Sequence, residues 1–409
     1  MKKRDLYYER IPTKLLREDF RLLGTFLGKV IKDQEGNIFF NIVEKFRLLS
    51  KNTLTDKNKS KVFSKISTEV KKLSPENTFK LTRAFSHILN LLNLAESIDA
   101  SRKLNEYENP YFKNKNQNLF IEDLIEGLFK NKKISDKKIY KQATNLDIGI
   151  VLTAHPTEVK RRTLIQKYAN LIYILEQRHL YKKYPSKIIE LDRQLYSEIA
   201  IIWKTDELKR TKPSPLDEAR WGLAVIEDSL WDTIPKVYKR LNDIFRKNLK
   251  KDLPRDFNPI QFGSWMGGDR DGNPNVTAEV TKKVLLFSRW QAAKLYDKEL
   301  TKLIQDLSME ECSTKIKKIT GSSFEPYRVF LRPIRNKVRL THQLIENHLN
   351  NNSYLDEKKL IQNKYEITLP LREVRNSLKL NKEDHIANAD LLDLMRRVRC
   401  FGINLARLD

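Results

Sequence analysis

The sequence predicts a mostly helical α/β protein in which a few short parallel strands are separated by long helical tracts. Three observations carry that prediction. The 409 residues include only 12 glycines and 14 prolines, and long stretches lack both, which favours continuous helix. Apolar residues recur at helical spacing through most of the chain. Runs of β-formers are few, and each stands between helical tracts. Short parallel strands joined by long helical excursions are the pattern of a heavily decorated α/β sheet or barrel.

In order along the chain, "RLLGTFLGKVI" (21–31) sets Leu23, Phe26, Leu27 and Val30 on one helical face. "AFSHILNLLNLAE" (84–96) does the same with Phe85, Ile88, Leu92 and Ala95. The first strand is expected at "IGIVLTA" (148–154). After it, Leu164, Tyr168, Leu171, Ile172 and Leu175 form the next helical stripe. "SPLDEARWGLAVIEDSLW" (214–231) reads as a helix with Pro215 and Asp217 near its start. "IQFGSW" (260–265) is the second strand, and Thr277 is the expected N-cap of a helix over "AEVTKKVLLFSRWQAAKLY" (278–296). "INLARL" (403–408) is the third strand. Polar tracts at 51–61, 105–118 and 347–359 read as surface loops. There is no internal repeat and no linker between independent domains. The expected organisation is a helical region over 1–145, followed over 146–409 by the first barrel strands with long helical insertions.

Composition narrows the function. The net charge of +25 raises the question of nucleic acid. The lysines, however, are spread over the whole chain, with no arginine-rich tail and no ladder of basic and aromatic residues, so small anionic substrates suit it better and no nucleic-acid partner is expected. The two cysteines, Cys312 and Cys400, make neither a disulfide framework nor a metal quartet. Neither has the basic, His-flanked surroundings of a nucleophile. The charged start "MKKRDLYYER" lacks an apolar signal region, and no run of 18 apolar residues exists. The expectation is a cytoplasmic protein with no membrane partner.

Two segments could carry chemistry. In "VLTAHPTEVKRRT" (151–163), His155 falls where a strand ends and a helix begins, the usual place for chemistry in an α/β barrel. An imidazole there can move a proton or stabilise developing negative charge near neutral pH. Thr157 can cap the following helix, and Lys160, Arg161 and Arg162 add positive potential suited to phosphate or carboxylate. A histidine that merely caps or bonds locally is the alternative. In "FGSWMGGDRDGNPNVT" (262–277), Gly267 and Gly268 allow a tight turn with positive φ, and Asp269 and Asp271 flank Arg270. A calcium loop counted from Asp269 fails, because Pro274 stands where glycine is required and Val280 where glutamate is required. A rigid strand-to-helix turn, whose carboxylates orient Arg270 or nearby backbone, fits better. Elsewhere, His87 reads as a satisfied core histidine, His179, His342, His348 and His385 as solvated, and Trp203 and Trp221 as packing residues.

The two long motifs, in this order, closely resemble the signatures of the phosphoenolpyruvate carboxylase family, in its bacterial form. The likeness extends over "LREDFRLLGTFLGKVIKDQEG" (16–36), "WKTDELKRTKPSPLDEARWGL" (203–223), "EPYRVFLRPIR" (325–335) and "LLDLMRRVRCFGINLARLD" (391–409). The resemblance implies a mostly helical enzyme built round an eight-stranded TIM-type barrel. It forms oxaloacetate and phosphate from phosphoenolpyruvate and bicarbonate, supplying the tricarboxylic acid cycle, with Mg²⁺ or Mn²⁺ on the enolate oxygen and a homotetrameric assembly. By the same resemblance His155 is catalytic, assisting carboxyphosphate breakdown and carboxyl transfer, and Trp265, Arg270 and Arg407 are substrate-binding. Family members are about twice as long. The chain therefore matches their N-terminal half only, with three strands of an incomplete barrel, and the metal ligands are expected in the other half. Two expectations follow: the chain alone is an inactive truncated form of the carboxylase, or it is a non-catalytic piece that associates with a separate C-terminal polypeptide.

Overall fold

The structure, a computed structural model, describes residues 14–55, 59–108, 121–131, 133–153, 162–206, 213–254 and 256–408. The chain begins with α1 (Lys14–Thr55), α2 (Lys59–Val70) and α3 (Pro75–Glu108). Two shorter helices, α4 (Ile121–Asn131) and α5 (Asp136–Thr144), lead to β1 (Ile148–Leu152). Then come α6 (Arg162–Leu180), α7 (Pro185–Lys204) and α8 (Pro215–Val225), which continues through a π-helical turn, Ile226–Leu230, into α9 (Trp231–Leu249). Strand β2 (Ile260–Ser264) precedes α10 (Ala278–Asp306), α11 (Thr314–Thr320) and α12 (Pro326–Asn351). A 3₁₀ turn at Glu357–Lys359 is followed by α13 (Tyr365–Leu380), α14 (Asp384–Ala387), α15 (Asp390–Phe401) and β3 (Arg407–Leu408). The chain is thus mostly helical with a few parallel strands, as the sequence predicts.

Two compact units emerge, Met1–Lys115 with Lys160–Arg210, and Asn116–Val159 with Thr211–Asp409. Among its described residues the first has helices and no strand. Within it α1 packs against α3 and α7, and α6 against α7. Leu23, Leu27 and Val30 are buried as the first stripe predicts, and Leu164, Leu171 and Leu175 as the third does. On α3 the prediction holds at Ala95 and is one step out elsewhere. The buried residues are Leu81, Ala84, His87, Leu91, Leu94, Ala95, Ile98 and Asp99, while Phe85, Ile88 and Leu92 sit at the margin. That helix is apolar over a wide arc, and the neighbours it meets decide which side goes inward. His87 is buried beside Trp203, with ring centroids 5.7 Å apart. Trp203 is buried too, and its Nε1 donates to Glu35 Oε1 at 3.1 Å.

The second unit holds a parallel sheet in the order β1-β2-β3. Leu152 pairs with Ser264, and Ser264 pairs with Leu408, so the three C-terminal strand ends lie side by side. Phe262 points from β2 into the core and stacks on Phe401, which stacks in turn on Trp231. This links β2 to α15 and α9. Strand β3 is shorter than the expected 403–408. Gly402 and Leu405 have positive φ, 60° and 59°, and no strand passes through that conformation. Tyr296 Oη donates to Gly402 O at 2.6 Å and Ser288 Oγ to Asn404 O, so α10 pins this bend.

Helix capping follows the sequence closely. Ser214 and Asp217 form a reciprocal capping box on α8, and Thr277 Oγ1 accepts from Val280 N at 3.3 Å at the start of α10. All three predicted loops are partly helical, and residues 105–108 of the second belong to α3. Residues 51–55 and 59–61 belong to α1 and α2, and α12 continues to Asn351. Lysine and asparagine are poor loop markers, because an exposed helical face carries them equally well.

Candidate active site

The candidate site is built on the C-terminal ends of the three strands. Beneath it lies a small apolar cluster of Ala219, Met266 and Val284, with Leu152, Leu216, Val280 and Leu408 packed against it. The cluster joins β1, β3, the turn after β2, and helices α8 and α10. Such close packing of short elements fixes the backbone above it.

The turn from Trp265 to Thr277 is shaped by backbone contacts. Trp265 N donates to Leu152 O at 3.1 Å, which extends the β1–β2 pairing by one bond. Gly268 N and Asp269 N both donate to Trp265 O, at 3.1 and 2.9 Å. Gly267 has φ 76°, and Thr281 Oγ1 reaches back from α10 to its carbonyl at 2.8 Å. A second reversal uses Asp271 and Gly272, with φ 26° and 72°. Asn273 Oδ1 then accepts from Asn275 N at 3.0 Å. Of the two glycines expected at positive φ, Gly267 adopts it. Gly268 is required for a different reason, since an added Cβ would lie 2.6 Å from Leu408 Cγ.

The expected role of the two carboxylates is corrected. Asp269 and Asp271 are exposed, and among the described residues neither carboxylate makes a hydrogen bond or ion pair. Arg270 is therefore not held by them. Asn273, Thr277 and Thr281 brace the turn instead, because each can bond backbone without competing for a cation.

Among the residues singled out from the sequence, the structure brings three to this end of the sheet. Trp265 is 47% exposed at the end of β2. Arg270 is exposed on the turn, and Arg407 is exposed on β3, paired in register with Gly263. His155, with Thr157, Lys160 and Arg161, lies outside the described residues. Thr153, the last described residue of that segment, follows β1 directly. Among the described residues no group of three or more His, Cys, Asp or Glu side chains could hold a metal ion. The described residues do not fit Mg²⁺ or Mn²⁺.

A family model described as phosphoenolpyruvate carboxylase matches residues 16–409. The chain belongs to the phosphoenolpyruvate carboxylase family. A protein of Acinetobacter baumannii named phosphoenolpyruvate carboxylase is 40% identical over 395 residues, covering 96% of this chain and 44% of the relative. Relatives of the same name from Acinetobacter baylyi and Tolumonas auensis are 40% and 37% identical, with the same coverage. The chain thus spans less than half the length of these carboxylases. No helix among the described residues is long and apolar enough to cross a membrane.

Sequence reasoning missed several supporting residues. Gly222, inside α8, faces Met266, and a Cβ there would lie 1.9 Å from Met266 Cε. A glycine within a good helical pattern is the one signal that could have marked it, since it costs helix stability unless something approaches closely. Thr281 and Leu408 carried no such signal.

His342, expected in solvent, is half-buried and stacked on Trp290, with centroids 5.2 Å apart. Burial depresses its basicity. His348 Nδ1 lies 2.7 Å from Ser353 O. Cys400 is buried, and burial pushes its thiol up to about 12. That is the opposite of a nucleophile's requirement.

Proposed function

We propose that this chain is the N-terminal portion of an enzyme that converts phosphoenolpyruvate and bicarbonate to oxaloacetate and phosphate. The observation that carries the reading is the braced Trp265–Thr277 turn at the C-terminal end of a parallel strand, in a chain of the carboxylase family. Three strands paired in sequence order are what the opening of a (β/α)₈ barrel would provide, and catalysis in such barrels occurs at this end of the strands.

The side chains divide the work by chemistry. Arg270 and Arg407 carry permanent charge and offer forked donors to phosphate or carboxylate. Trp265 supplies an apolar wall that keeps water from a carbanion-like enolate. His155, two residues beyond Thr153 in the sequence, would hold and move the proton during carboxyphosphate breakdown and carboxyl transfer. The divalent ion of the reaction would be held by residues beyond those described, and the work of these four side chains does not pass through it. The whole protein would act as a homotetramer in the cytoplasm, and the chain's positive charge would serve anionic substrates.

The 409-residue chain by itself is proposed to make no oxaloacetate. Among the described residues its sheet has three strands, β3 pairs over two residues, and Ile148, Ile150 and Val151 on β1 are each about 40% exposed. Open edges and uncovered apolar strands of that kind await further structure. The same feature favours the second reading, a non-catalytic piece that docks on a separate C-terminal polypeptide. Two assays test these statements. Oxaloacetate formed above background from phosphoenolpyruvate, bicarbonate and Mg²⁺ would overturn the claim of inactivity. Calorimetric binding of phosphoenolpyruvate, weakened about tenfold by Arg270→Gln, supports the substrate reading, and no binding at millimolar concentrations refutes it.

A further inference from the structure

We infer that Gly268 is a positioning residue: its bare Cα lets Leu408 close against the turn, and this contact sets the place of Arg270 relative to Arg407. The inference rests on the carboxylase reading of the site and goes beyond it by naming what holds the two guanidinium-bearing segments together.

Two segments meet at this point. Arg270 belongs to the turn after β2, and Arg407 belongs to β3, which pairs with β2 only at Gly263↔Arg407 and Ser264↔Leu408. A two-residue pairing is a weak constraint on a strand end. The side-chain contact supplies a further one. A Cβ built on Gly268 would lie 2.6 Å from Leu408 Cγ, 2.9 Å from its Cδ2 and 3.2 Å from its Cδ1. The first two distances are too short for carbon atoms and the third is tight, and Cγ sits too near the backbone to swing away. Gly268 is not at positive φ, unlike Gly267. Alanine is therefore compatible with its backbone, and only the crowding against Leu408 forbids it. Leu408, half-buried, also packs against the Ala219, Met266 and Val284 cluster, which limits its retreat.

The test is a compensation experiment on the full chain, comparing wild type, Gly268→Ala, Leu408→Ala and the double variant. Hydrogen exchange is read at the amides of Asp269 and Leu408, and phosphoenolpyruvate affinity is measured in parallel. The methyl in Gly268→Ala is expected to speed exchange at both amides about tenfold and to weaken phosphoenolpyruvate binding by a similar factor. Removing the Leu408 side chain as well is expected to return both towards wild type. A role confined to general stability would not be rescued by a second, cavity-forming substitution. Unchanged exchange in Gly268→Ala, or no recovery in the double variant, overturns the inference. The expected exchange pattern together with no phosphoenolpyruvate binding by wild type supports the contact and refutes the carboxylase reading of the site. Should the single variant be insoluble, a soluble double variant supports the inference. Insolubility of both, with Leu408→Ala soluble, overturns it.

Discussion

Truncating Phe262 to alanine should destabilise the second unit more than any surface change near the site. Phe262 is 3% exposed in the middle of β2, and its ring lies 5.4 Å from Phe401 at an interplanar angle of 13°. Phe401 lies 5.3 Å from Trp231, and Trp231 is 5.3 Å from Tyr296. The series ties β2 to α15, α9 and α10. Removing a fully packed phenyl ring from such a site costs about 3–5 kcal/mol, combining lost transfer energy with the cavity left behind. Phe262→Leu keeps most of the apolar volume and should cost about 1.5 kcal/mol. The ring pair itself should contribute about 1 kcal/mol, visible as non-additivity when Phe262→Leu is combined with Phe401→Leu. Urea unfolding followed by tryptophan fluorescence measures all three. A loss below about 1 kcal/mol for Phe262→Ala would refute the view that β2, and with it the turn at Trp265, is anchored through this aromatic series.

Three further outcomes are expected. Burial holds His342 below its usual 6.5, with Asp297, Glu346 and Lys294 facing it. The unfolded chain therefore binds the extra proton first, and stability should fall as pH drops below that value; His342→Phe should flatten this part of the profile in pH-dependent thermal melts, and an unaltered profile would show that another group is responsible. Ser214→Ala removes one half of the capping box on α8, and should cost about 1 kcal/mol in urea unfolding, with no measurable loss counting against the box. Cys400, its thiol pushed up to about 12, should resist iodoacetamide at pH 8 in the folded chain and react in denaturant. Mass spectrometry showing rapid native labelling would contradict the burial assigned to it.

Much of the architecture was legible because local physics determines it. The spacing of Leu23, Leu27 and Val30, the cap at Thr277 and the start of α8 near Pro215 and Asp217 each depend on neighbours within one or two helical turns, so sequence alone places them. The strand at Ile260–Ser264 and the glycine-rich turn after it were recognisable for the same reason. The α3 stripe was right at Ala95 and one position out elsewhere, because its apolar arc is wider than the surface it meets. His342 was misjudged because its partner, Trp290, lies on another helix.

By itself the sequence determined the helical character of the chain, its strands to within a few residues, the helix starts at Pro215 and Thr277, and the two motifs that mark its family. Only the tertiary structure decided that Leu152, Ser264 and Leu408 end side by side, that Asn273 and Thr281 rather than the aspartates brace the turn, and that Gly268 is needed for Leu408 and not for its own φ. The physical reason is range. Caps and periodic stripes are settled by contacts a few residues apart, whereas Gly268 and Leu408 are separated by most of the second unit, and only folding brings their surfaces within van der Waals distance.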